Sequence, residues 1–225
     1  MPPSLESAKP VRRTALSDHV FDEILALLID GRLAADTSLN IDGLARQLDV
    51  SPTPVREALA RLEATGMVRR VALRGYFVAP EPSAQELADL MDARLVVEPA
   101  TAYYACGRGG DQLVADLEQA INDLRAAPNG PTYAEFREYW TADERFHQLI
   151  AAAARNSYLL AAFNGIGGAV QRFRQFAGTG VTDKDLAIRE HTDVLDAIRA
   201  GDPDAARNKM RLHLEGVRER AISES

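Results

Sequence analysis

Cysteine is almost absent from this chain: Cys106 is the only one in 225 residues. An intrachain disulfide is therefore excluded, and the thiol content fits a reducing compartment, which here means the cytoplasm. Long hydrophobic runs are missing too. The longest, Ile24 to Ile29, falls far short of the roughly 20 apolar residues that cross a bilayer, so no membrane span is expected. The stretch from Met1 to Arg13 sets Pro2, Pro3 and Pro10 among polar residues and lacks the apolar segment of a secretory signal. It reads as a flexible arm, residues 1–16. Internal repeats and low-complexity tracts are also lacking, which excludes solenoid architectures.

What the chain does contain is a hydrophobic share of 46%, typical of globular domains, in a length suited to one large or two ordinary ones. The net charge of −7 argues against nucleic acid if the chain is treated as one object. Its distribution argues otherwise. Between Lys9 and Pro80 acids and bases nearly cancel, with Arg69, Arg70 and Arg74 bunched, and the excess acid lies beyond. The two halves have different partners.

In the first half, Ser17 is placed to cap a helix with apolar positions Val20, Phe21, Ile24, Leu27 and Leu28, and Gly31 to stop it. Asn40 caps a short helix to Leu48, and Ser51 with Pro52 opens a third that ends near Gly66. Met67–Val71 and Tyr76–Ala79 are β-prone and flank Ala72-Leu73-Arg74-Gly75, which predicts a hairpin. Three helices and a hairpin make a winged helix-turn-helix over residues 17–80, with the helix-turn-helix at about 40–62 and the wing at 66–80. Such a module inserts its third helix into the major groove of double-stranded DNA. Ser51 and Thr53 can donate to phosphates or base edges, Arg56 can fork onto guanine, and Arg74 beside Gly75 can reach the backbone or minor groove.

The ordered series Leu44-Ala45, Val50-Ser51-Pro52-Thr53-Pro54-Val55-Arg56-Glu57-Ala58-Leu59, Leu62, Gly66-Met67-Val68 and Arg74-Gly75-Tyr76-Phe77-Val78 resembles the GntR family of transcription regulators. The resemblance implies a homodimer on a palindromic operator, with contacts from Ser51, Thr53, Arg56 and Gly75. This sequence has Pro52 where the family often has arginine, and Asp42 where some members carry a basic residue, so no operator sequence carries over.

Pro80-Glu81-Pro82 is a stiff linker, and Ser83 with Glu86 forms a capping box that opens the second domain, residues 81–225. Its pattern is helical throughout: 83–105, 111–126, 132–154, 157–177, 183–200 and 203–223, an antiparallel bundle. Thr132 with Glu135 repeats the capping box, and Asp202 caps a helix with Pro203 at its first position. The predicted fold class is mainly α, a winged helix-turn-helix followed by an all-α bundle.

Three of the four histidines fall in this domain, each on the apolar stripe of a different helix. Asp143 and His147 are four apart on one inward face, His191 lies on the stripe Ala187, Val194/Leu195, Ile198, and His213 on Ala206, Met210, Val217. An Asp/His₃ set suits a borderline divalent ion, zinc before nickel or manganese, with positions left for a ligand. Arg94 sits among Leu87, Leu90/Met91 and Ala102, where a guanidinium needs an anion. Either Glu98 on the next turn supplies it, or a small carboxylate effector does, its other oxygens on the metal. Pro99 is expected to kink the helix just beyond.

Arg94 with Glu98, Asp143, Phe146-His147, Asn156, Leu159, Glu190-His191, Ile198, Gly201-Asp202, Met210 and His213 together resemble the FCD effector domain of the GntR subfamily related to fatty-acid-metabolism regulators. That resemblance implies Asp143, His147, His191 and His213 as metal ligands and an organic or sugar acid as effector, bound by Arg94 and Glu98 with Arg172 or Arg174, between which periodicity does not choose. Two other readings compete. One is a metal-dependent hydrolase or isomerase with an accessory helix-turn-helix and Glu98 as general base; the other keeps the metal purely structural. No nucleophile elbow or phosphate loop supports the first, so the chain reads as a regulator and not an enzyme.

Overall fold

A computed structural model describes residues 13–128, 133–176 and 184–223. Contacts divide the chain into two compact units, between Pro80 and Glu81.

In the first unit, helix α1 (Arg13–Ile29) begins one turn ahead of Ser17, which therefore lies inside the helix on its buried face rather than capping it. Nothing between Arg13 and Ser17 breaks a helix; the nearest breaker is Pro10. Gly31 ends the helix with φ +67, a conformation that favours glycine. Helix α2 (Ile41–Gln47) is capped by Asn40, whose Oδ1 accepts from the Gly43 amide at 2.8 Å. Helix α3 (Pro52–Ala64) buries Val55, Ala58, Leu59 and Leu62 and packs against α1. The sheet has three strands, not two: β1 (Ser38–Leu39), β2 (Val68–Val71) and β3 (Gly75–Val78), in the antiparallel order β1-β3-β2. A two-residue strand is too short to show alternation, so β1 leaves no signal in the sequence. Ser38 lies opposite Phe77, and Val68 opposite Val78. The wing turn closes through the Arg74 amide on the Val71 carbonyl at 3.0 Å.

The second unit contains six helices among the described residues: α4 (Ala84–Arg108), α5 (Gly110–Ala126), α6 (Tyr133–Ala153), α7 (Ser157–Phe176), α8 (Lys184–Arg199) and α9 (Pro203–Ser223). The capping box is formed, with the Ser83 amide donating to Glu86 at 2.8 Å and the Glu86 amide to Ser83 Oγ at 3.2 Å. Helix α4 runs past the expected stop at Ala105, because Gly107 is accommodated within it and the break falls at Gly109. Asn156 caps α7 through the Tyr158 and Leu159 amides, and Asp202 caps α9 through the Ala205 amide. The Thr132–Glu135 capping box lies outside the described residues.

Helix α4 packs along α9 and against α6 and α7, while α8 lies on α9 and α5. Leu87, Met91, Leu117, Phe146, Ile150, Val194, Ile198, Met210 and Leu214 fill the space between them. The inward stripes of α6, α8 and α9 therefore converge on one region of this core, and the polar residues they carry meet there.

Candidate metal centre and DNA-reading helix

His147 of α6, His191 of α8 and His213 of α9 are all buried, and each offers a ring nitrogen, the three within 4.8 Å of one another. Asp143, one turn before His147 and also buried, places Oδ1 3.5 Å from His191 Nε2. The four residues singled out on three separate stripes are thus brought together.

Two arginine–glutamate pairs hold two of these imidazoles. His213 Nδ1 lies 2.7 Å from Glu190 Oε2, and Arg220 grips Glu190 with both terminal nitrogens at 3.0 Å. His147 Nδ1 lies 2.6 Å from Glu98 Oε2, and Arg94 Nε donates to Glu98 Oε1 at 2.5 Å. Burial alone would raise the Glu98 pKa, but Arg94 and His147 outweigh it and hold the carboxyl far below its ordinary range. Glu190 is likewise pushed up by burial and brought below its ordinary value by the hydrogen bonds from His213 and Arg220. For His213, burial lowers the pKa and so favours the neutral ring that binds a metal. A ring whose Nδ1–H faces a carboxylate presents its Nε2 lone pair on the other side. Among the described residues neither ring nitrogen of His147, both fully buried, completes a hydrogen bond: Nδ1 only faces Glu98, and Nε2 has no partner. That orphaned acceptor and the N₃O donor set fit a divalent cation better than they fit a closed polar core. His191 is aligned differently, stacked on Phe146 with ring centroids 4.2 Å apart at 18°.

Glu190, Arg220 and Phe146 receive no role from the sequence, because each acts on a side chain of another helix, by a contact that periodicity does not encode. Arg94 forms a buried i, i+4 pair with Glu98. Glu98 is consequently locked between Arg94 and His147, which removes it as the general base of the hydrolytic reading. Arg172 reaches Glu86 Oε1 at 3.3 Å, at the start of α4. The Arg174 side chain lies outside the described residues.

In the first unit, Ser51, Thr53 and Arg56 are exposed at the start of α3. Ser51 occupies the N-cap position with extended backbone, but its hydroxyl makes no capping bond. Pro54 removes one of the two first-turn amides from which the Ser51 oxygen would accept, and the exposed O–H can donate to an outside acceptor. Among the described residues Arg56 has no ion-pair partner. In the wing, Arg74 lies 5.1 Å from the Phe77 ring, and Arg69 pairs with Asp36 at 2.8 Å. Gly75 has φ +90, so an alanine there is strained although nothing fills the space around it. We expect Arg56→Ala to cost about 1–3 kcal/mol in binding to a duplex recovered by in vitro selection, and to relax the base preference it reads. Anisotropy titrations against the selected and single-mismatch duplexes measure this; equal affinity for wild type and variant would remove Arg56 from the interface.

Comparison with known families agrees with this division. Residues 16–78 match the model of bacterial regulatory proteins, gntR family, and residues 89–216 match the FCD domain. An Escherichia coli relative named for the regulation of an L-lactate dehydrogenase operon is 31% identical over 90% of this chain and 84% of its own. A Paenarthrobacter nicotinovorans protein with the name "Probable D-xylose utilization operon transcriptional repressor" is 26% identical, over 92% and 89%. Among solved structures, E. coli McbR/YncC superposes with a TM-score of 0.72 at 20% identity, covering 92% of this chain and 97% of that one, which shows a shared fold. With a helix-turn-helix that reads DNA and a helical bundle that carries a buried histidine cluster, this chain is a transcription regulator belonging to the GntR family, in the group with an FCD effector domain.

Proposed function

We propose that the bundle, residues 81–225, senses a small carboxylic or sugar acid at a divalent metal held by Asp143, His147, His191 and His213, and that binding changes the affinity of residues 17–80 for a palindromic operator in the cytoplasm. The chain acts as a homodimer, one reading head per half-site. The observation that carries the sensing reading is the convergence of three buried imidazoles, two of them backed by carboxylates, beside a buried aspartate. When bound, the metal supplies a Lewis-acidic point of attachment for carboxylate oxygens. Zinc suits this donor set before nickel or manganese.

The protein's own part is to hold four donors fixed in an apolar surround. Arg94 contributes in a changed form. Glu98 already neutralises its charge, so what it offers an incoming carboxylate is directional hydrogen bonding from a guanidinium held in place rather than an unspent positive charge. Arg172, tied to the start of α4, is the second candidate contact, with Arg174 as the alternative. The lactate-operon relative fits an effector that is a small hydroxy acid.

The test is a thermal-shift panel of carboxylic acids with metal-loaded protein and with chelator-treated protein. An acid at about 100 times its Kd adds ~2.7 kcal/mol, roughly 5–10 °C for a chain of this length, and only in the metal-loaded sample. A broad panel without one metal-dependent shift overturns the sensing reading. Unfolding by chelator with no acid response assigns the metal a structural role instead.

A further inference from the structure

Glu190 is next to His191 in sequence, yet its carboxylate serves a different histidine. It accepts from His213 Nδ1 at 2.7 Å and is held from behind by Arg220, seven residues after His213 on α9. For the guanidinium to fold back over that distance, the helix surface between them must be bare. The residue there is Gly216. A Cβ at this position would stand 2.8 Å from Arg220 Nη1 and 2.9 Å from Glu190 Oε1, closer than real Cβ contacts come. Glycine in the middle of a helix is otherwise a cost, since alanine is the better helix former.

Resting on the reading of the histidine cluster as a metal site, we propose that Gly216, Arg220 and Glu190 form a positioning device that fixes the tautomer and direction of His213 and so sets metal affinity from the rim of the bundle. Each part has one task. Glu190 accepts the Nδ1–H and leaves Nε2 as the donor to the ion. Arg220 fixes the carboxylate rotamer through two parallel hydrogen bonds, which a lysine cannot reproduce. Gly216 supplies the space. This device is partly open to solvent, with side chains 22% and 18% exposed at Arg220 and Glu190, whereas the matching Arg94–Glu98 pair behind His147 is sealed at 5% and 3%. The outer pair can therefore be altered without leaving a charge stranded in the core.

The design makes affinity and stability move in opposite senses. In Gly216→Ala the flexible end of Arg220 is the group that yields, so Glu190 loses its grip while the helix gains a better former. Metal affinity, measured on the full chain by competition with a chromophoric zinc chelator, is expected to fall about 10-fold, within the 10–100-fold range typical of outer-shell partners. The melting temperature of the metal-free protein stays level or rises. Arg220→Ala and Glu190→Gln should show the same loss of affinity, Arg220→Lys a partial recovery, and Glu215→Ala, which breaks only the exposed Arg211–Glu215 pair, none. The visible spectrum of the cobalt(II)-substituted protein should change in the first three variants and not in Glu215→Ala. Wild-type affinity and cobalt spectrum in Gly216→Ala and Glu190→Gln would overturn the positioning role and leave the metal site standing. Equal falls in affinity and metal-free stability in Gly216→Ala would overturn it as mere packing. A wild-type chain that takes up neither zinc nor cobalt would overturn both this inference and the reading beneath it.

Discussion

Glu98→Ala should destabilise the metal-free bundle by about 3–5 kcal/mol, one of the two largest effects of any single substitution considered. The reason is what the change leaves behind. The Arg94 and Glu98 side chains are 5% and 3% exposed, so removing the carboxylate strands a guanidinium in the core and takes away the group facing His147 Nδ1. Glu98→Gln, which keeps an acceptor oxygen but no charge, should fall between. Replacing both partners, Arg94→Met with Glu98→Leu, should recover much of the loss, because two apolar chains of similar size strand no charge. Urea denaturation of the four metal-free proteins decides this. If the double variant is as unstable as Glu98→Ala, the cost is one of shape rather than of an uncompensated charge.

Phe146→Ala is expected to cost about 3–5 kcal/mol as well, by a different route. Its ring is 1% exposed in the main core and forms the surface on which His191 lies flat, 4.2 Å between centroids, with an edge contact to His147 at 5.6 Å. Truncation opens a cavity and frees His191 to rotate at once. Stability and zinc affinity should therefore fall together, unlike the separation expected at Gly216. Phe146→Leu should restore most of the stability and less of the affinity, since leucine fills volume without offering a flat face. Denaturation and chelator competition on the same preparations measure both quantities, and an undiminished affinity in Phe146→Ala would show that His191 is aligned by something other than the stack.

Stripes and caps were legible in the chain. The helical spacing of Leu44, Leu59, Met91, Phe146-His147, His191 and His213 places each on an inward face whatever the neighbours are, because side-chain direction in a helix follows from 3.6 residues per turn. Asn40, Ser83 and Asp202 announce helix starts because their side chains satisfy amides within three residues. Ser17 and Ser51 show the limit of that rule. Ser17 has the right chemistry but no competing breaker upstream, and Ser51 stands three residues before Pro54, which takes away one of the two amides it would cap.

By itself, then, the sequence determined the two-part organisation, the reading helix with Ser51, Thr53 and Arg56 outward, and the four residues Asp143, His147, His191 and His213 on buried faces, all of them consequences of local periodicity and local hydrogen bonding. Only the tertiary structure decided which groups meet: that Arg94 spends its charge on Glu98, that Glu98 turns to His147, that Glu190 serves His213 rather than its own neighbour, and that Arg220 reaches it across Gly216. Those pairings join α4 to α6 and α8 to α9, and the packing angles that bring helices to within hydrogen-bonding distance depend on every core side chain between them. A period along one helix carries no record of that.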